Sequence, residues 1–330
     1  MGMRWRFAVL GLLAACTSLD GAGAKSEVPR TSAEAGAAGT GAAGTSAAAP
    51  TATATAAQPV QASFAAYPWL AGGAEGMPAP VDTLEQRIPA PEGFSRVPLA
   101  PGGFGAFLRG LPLAAKGTPV VSNRGAEVRA TGHPNIAAVV AIDVGKGDLQ
   151  QCADAVIRLH AEWRWGRGHR DQAYRSASGA TLAFGRYAAG ERVRVEGNRI
   201  SLVPSARPAE ATHALFRSWL DEVFGWTNTG ALARDGERVG IEDLRPGDFF
   251  VLTGVPYGHT VLVLDMARDA SGRRALLLGQ SFVPAQSVQV LRPGRPGPGS
   301  AWFSLDEEAR VLRTPFWEPF PFDSLRRLPE

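Results

Sequence analysis

Two residues in the folded part of this chain have the types and settings for acyl transfer. Cys152 follows Asp148-Leu149-Gln150-Gln151, and an Asp followed three positions later by a Gln has the form of a capping box. The spacing predicts a helix that opens immediately before Cys152, where free N–H groups and the helix dipole favour thiolate over thiol. His259 follows Tyr257-Gly258 and opens an apolar strand to Asp265, so its imidazole can face a helix-start thiol from the adjoining sheet and form an ion pair with it. If Asp265 pairs with Arg274 in a hairpin, His259 lies opposite Gln280, which can orient the ring. Asp265 itself, six residues along the same strand, is about 20 Å from His259 and is set aside.

Such a set can attack an amide, ester or thioester carbonyl, protonate the leaving group and then activate water. The Cys152 N–H can help hold the oxyanion, with Gln151 as a possible side-chain donor. Gln286 is a reserve for the third position if residues 281–285 fold back beneath His259. A lone cysteine on an apolar stripe reads equally well as a small core hydrophobe.

The elements that must position these groups are legible as periodicities. Leu149, Cys152, Val156, Leu159 and Trp163 recur at spacings of three and four, with Arg158 and Glu162 as an exposed i,i+4 pair. A second helix is expected over 209–224. Ile136 to Val144 reads as a buried strand, and 243–252, 259–265 and 275–278 as consecutive antiparallel strands around a turn at 266–273. Shorter strands are expected at 120–121, 127–130, 181–187 and 193–203. Trp317, Phe320 and Phe322 are available to pack on the core from the tail.

On Cys152 at a helix start, Leu244-Arg245-Pro246-Gly247-Asp248-Phe249-Phe250 before the histidine strand, His259 in Gly258-His259-Thr260-Val261-Leu262-Val263-Leu264, and Gln280 on the next strand, the chain resembles the NlpC/P60 and papain-like cysteine hydrolases. That resemblance implies an α+β, papain-like NlpC/P60-type core, its antiparallel sheet packed against the nucleophile helix, with Cys152, His259 and Gln280 as nucleophile, base and orienting residue. Gln151-Cys152-Ala153-Asp154 stands where that class usually has Asp-Cys-Ser-Gly. A closer resemblance, over residues 88–324, is to the bacterial DUF4846 family. It is carried by Asp148-Leu149-Gln150-Gln151-Cys152-Ala153-Asp154-Ala155, Arg158-Leu159, Ala161-Glu162-Trp163 and Gln280-Ser281-Phe282-Val283-Pro284-Ala285-Gln286, and it implies a common architecture with no established reaction.

The N-terminus is of another character. Arg4 and Arg6 precede an apolar run, Phe7 to Ala15, of export-signal length. Leu13-Ala14-Ala15-Cys16 resembles the lipobox of bacterial lipoproteins, which implies a signal peptide over 1–15 and lipidation at Cys16. Thr17 after it suggests outer-membrane sorting, facing the periplasm. Residues 16–65 read as a disordered Ala/Thr/Gly/Pro tether that cannot bury enough apolar surface to fold, and 66–330 as the folded domain. With 39 Gly and 25 Pro in 330 residues, that domain should be rich in loops.

Lys plus Arg number 34 and Asp plus Glu 31, a net charge of +3 that does not call for a nucleic-acid partner. Cys16 and Cys152 are the only cysteines, which excludes a disulfide framework. His133, His160, His169 and His213 lack metal-ligand spacing, and there is no phosphate-loop or dinucleotide signature, so no metal or cofactor is expected. The basic run Arg164, Arg167, His169, Arg170 and Arg175 reads as a solvated face. The expected function is thus a membrane-tethered thiol amide hydrolase, with peptidoglycan peptide as a candidate substrate. The alternatives are a noncatalytic envelope-binding or structural lipoprotein on the same fold, and a thiol acyltransferase or transglutaminase.

Overall fold

The computed structural model describes residues 64–330 except Asn198, Val255, Pro256 and 295–300. The export segment, Cys16, the tether up to residue 63 and most of the Pro/Gly run 292–300 lie outside the described residues. The fold is α+β and built on antiparallel pairing. Nine strands form the main sheet: β1 (Phe94–Arg96), β2 (Ile136–Val139), β3 (Glu237–Arg238), β4 (Phe249–Leu252), β5 (His259–Asp269), β6 (Arg274–Gln280), β7 (Gln289–Leu291), β8 (Phe303–Ser304) and β9 (Leu325–Arg327). Their order is β3-β9-β4-β5-β6-β7-β2, with β1 also pairing with β5 and β8 with β6.

The central strand β5 is a nearly unbroken apolar run because both its faces are covered. Leu262, Leu264 and Ala267 join one core with the helices. Val261, Val263 and Met266 join a second with Leu312 and Phe320 from the C-terminal hairpin of Val311–Thr314 and Trp317–Pro321, and with Phe322 just after it. The four main helices are α1 (Phe104–Arg109), α2 (Cys152–Gly166), α3 (His213–Trp226) and α4 (Thr229–Asp235). Helix α2 is buried on nearly every side, between β5, α1 and α4.

The register of β5 with β6 differs from the expected one. Asp265 faces Leu277, and Arg274 pairs with Arg268. Between Val263 and Asp265 the strand carries a bulge at Leu264, so the pairing resumes as Val263↔Leu278 and Leu262↔Gly279. Extending that register puts Gln280 across from Val261, diagonal to His259 on the same face of the sheet. Without the extra residue Gln280 would stand across from Leu262 and point to the other face.

Other boundaries also shift. Residues 181–187 divide into a strand, Thr181–Ala183, and a helical turn, Phe184–Ala188. The second helix starts at His213, where the Thr212 side chain caps it by accepting from the Leu215 N–H. Asp243 to Asp248 makes a turn ahead of β4. Arg158 and Glu162 are not on the surface: both are fully buried, with Arg158 Nε donating to Glu162 Oε1 at 2.9 Å and Nη2 to Asp143 Oδ2 at 2.7 Å. Glu162 also meets His213 Nε2 at 2.8 Å. Asp265 is buried and taken by Arg96 and Arg109, in keeping with its exclusion from the histidine's surroundings.

Candidate active site

Helix α2 begins at Cys152, but through a different cap from the one expected. Gln151 is the N-cap in an extended conformation, and Asp154, at the third helical position, accepts from the Gln151 N–H at 3.0 Å. Asp148 lies one turn earlier, and its Oδ1 accepts from the Ala285 N–H at 2.6 Å and from Gln151 Nε2 at 3.1 Å. It therefore ties the segment after Gln280 to the approach of the cysteine helix. Gln150 is buried. Its Nε2 donates to the Asp143 carbonyl, its Oε1 accepts from Arg158 Nη1 at 2.8 Å, and its own carbonyl accepts from the Ser281 hydroxyl.

On the sheet side, His259 is buried at the first position of β5. Its Nε2 lies 2.8 Å from Gln280 Oε1. An amide oxygen accepts only, so this bond sets the ring as the Nε2–H tautomer and leaves Nδ1 as the basic nitrogen. Phe282 and Trp317 stand against the imidazole with ring centroids 4.8 and 4.9 Å away, and Phe320 at 6.2 Å. Burial pushes His259 down to about 4, against a smaller upward pull from Gln280, so the ring is neutral at pH 7.

Cys152 and His259 line one cavity of about 250 Å3, together with Tyr257, Phe282, Val283 and Trp317. Burial, and after it the neighbouring Asp154 carboxyl, push the thiol up to about 12, while the N–H groups of Ala153, Thr260 and Cys152 oppose the rise. Asp154 is pushed up to about 8 by burial, so it too is neutral at pH 7. No hydrogen bond joins Cys152 to His259 among the described residues. The thiolate and imidazolium ion pair expected from the helix start is absent, because desolvation of both partners outweighs the helix dipole.

The auxiliary glutamines are engaged elsewhere. Gln286 donates to the Pro284 carbonyl and accepts from Gln289 Nε2, and Gln151 Nε2 is held by Asp148. Gln280 Nε2 is buried with no partner among the described residues. His160 is bound between the Tyr174 hydroxyl and the Pro329 carbonyl. Among the described residues no group of three His, Cys, Asp or Glu is placed to hold a metal ion. Sequence reasoning passed over the aromatic walls. Phe282 stands two residues after Gln280 and was within reach of a strand argument. Trp317 arrives on a hairpin 58 residues after His259, with no periodic signal to connect them.

A family model described as a domain of unknown function (4846) matches residues 84–327. Neither the comparison with curated proteins nor that with solved structures found a match.

Proposed function

We propose that this chain, which belongs to the DUF4846 family, is a thiol-dependent acyl hydrolase or acyltransferase of the papain-like kind, with Cys152 as nucleophile, His259 as base and Gln280 as the residue that orients the ring. The carrying observation is the 2.8 Å bond from His259 to Gln280 in a cavity that also holds Cys152. With both groups neutral at rest, the chemistry is general-base attack. The Sγ–H proton passes to His259 Nδ1 as sulfur bonds to the carbonyl carbon, whose π pair moves to oxygen. The oxyanion then re-forms the carbonyl, the C–N bond breaks, and the amine leaves with the proton from Nδ1. Water attacks the thioester in the reverse sense, returning a free thiol. An amine in place of that water gives the transferase. Catalytic hydrogen bonds often close only around substrate, so the unbonded pair of the free protein is compatible with this sequence of steps.

The N-terminal run from Arg4 to Cys16 supports placing this chemistry on a lipid anchor at the bacterial outer membrane, facing the periplasm, where cell-wall peptide is the available amide. A second reading is a noncatalytic envelope-binding protein, favoured by the covered, protonated thiol. Iodoacetamide labelling of Cys152 across pH, in wild type, His259→Ala and unfolded protein, bears on both. The enzyme reading expects slow labelling of the free protein at pH 7, and His259-dependent labelling by an acyl-like chloromethyl ketone. Ketone labelling that is absent, or unchanged in His259→Ala, moves the binding protein ahead.

A further inference from the structure

The cavity beside Cys152 says what kind of group the thiol meets. Among the described residues none that lines it is Asp, Glu, Lys or Arg, and beyond the sulfur and the imidazole its walls are Phe282, Trp317, Val283, Tyr257 and Gly258. At about 250 Å3 it is smaller than the roughly 300–1,000 Å3 of pockets that take whole ligands, and fits one side chain. Its mouth is apolar as well. Only four large hydrophobic residues are exposed among the described residues, Val81, Val195, Tyr257 and Val283, and two of them, Tyr257 at 70% and Val283 at 47%, stand here. Exposed apolar groups gathered around an apolar cavity mark a place of contact.

We infer that the cavity is the specificity pocket of the thiol site and takes an apolar side chain of leucine or phenylalanine size, carried by the residue whose carbonyl Cys152 attacks. The inference rests on the thiol reading above and narrows it. An attacked carbonyl must come within about 3–3.5 Å of sulfur, and the remaining space then falls to the side chain next to that carbonyl. A carboxylate or ammonium there would be desolvated with no counter-charge. The pocket therefore disfavours acidic and basic residues at this position of a cell-wall peptide or protein.

Two measurements on the full chain test this and separate it from the thiol reading. The first is the labelling rate of Cys152 by N-acetyl-aminoacyl chloromethyl ketones bearing Phe, Leu, Ala, Glu or Lys side chains. Phe and Leu should exceed Ala, Glu and Lys roughly ten- to a hundredfold, the range set by burying one large apolar side chain. Val283→Asp, at the exposed rim, should erase most of that preference when each ketone's rate is taken relative to iodoacetamide labelling of the same variant. Labelling that depends on His259 but shows no side-chain preference, or prefers a charge, overturns the pocket and leaves the thiol reading standing. The second is saturation-transfer NMR of N-acetyl-phenylalaninamide and N-acetyl-lysinamide with Cys152→Ser. Selective binding of the first, with no ketone labelling of wild type, upholds an apolar pocket and overturns its use in acyl transfer. Absence of both binding and labelling overturns the two together.

Discussion

Gln280 accepts from His259 through Oε1, and among the described residues its own Nε2 has no partner, so one bond carries its hold on the ring. Gln280→Glu should raise the imidazole above about 4 by placing a carboxylate beside it, and Gln280→Ala should let both tautomers appear. The 15N shifts of the His259 ring read both outcomes. On the proposed chemistry, with thiol and imidazole neutral at rest, ketone labelling should rise with pH through about 4, as His259 loses its proton, and then run level until Asp154 ionises near 8. The buried groups also set stability. His259 titrates lower when folded, so its contribution is present above about 6.5 and is lost as pH falls through 4. Asp154 titrates higher when folded, so its contribution is greatest below 3.8 and is lost as pH rises through 8. The two oppose each other between 4 and 6.5, and above that the Asp154 loss stands alone. Asp154→Asn should flatten the decline of urea midpoints between pH 6.5 and 8. At Arg158, removing the guanidinium by Arg158→Met leaves the buried Asp143 to Arg217 and Glu162 to His213, and a loss of up to about 3–5 kcal/mol is expected in the same measurement.

Among the elements, the Leu264 bulge decides which residue His259 meets. Sequence reasoning found the strands, the hairpin and the right partner, because apolar runs separated by Ser271-Gly272 are strong signals. It missed the bulge, since an inserted residue in a strand buried on both faces leaves no break in polarity. Asp148 was likewise recognised as a side-chain acceptor but assigned to the wrong donor. It bonds Ala285, 137 residues away, which no local pattern can reveal. Asp148→Ala should release residues 281–286 from the start of α2 and speed hydrogen exchange at Ala285. A cost of about 1–3 kcal/mol to global stability is expected, the range for a lost charge-assisted bond. The burial of Arg158 and Glu162 escaped notice for a related reason. An i,i+4 ion pair has the same spacing on a surface as inside, and only the arrival of Asp143 and His213 from other elements distinguishes them.

Across the whole molecule, the two cores meet at the sheet, and the helical one reaches well before the family's matched residues. Trp69 is fully covered and its indole donates to the Ala141 carbonyl at 2.8 Å, while the Tyr67 hydroxyl donates to the Phe107 carbonyl at 2.9 Å. A chain starting at residue 64 should match the full-length protein in thermal unfolding, whereas one starting at 84 should lose about 3–5 kcal/mol for the missing Trp alone. The cover over Cys152 has a further consequence, for survival under oxidants. Peroxide reacts with thiolate, and a thiol raised to about 12 is ionised in roughly one molecule in 10⁵ at pH 7. With Cys16 the only other cysteine, and that one expected to carry lipid, a sulfenic acid at Cys152 would find no resolving thiol in the folded domain. Holding sulfur protonated keeps this thiol reduced without a disulfide partner to rescue it.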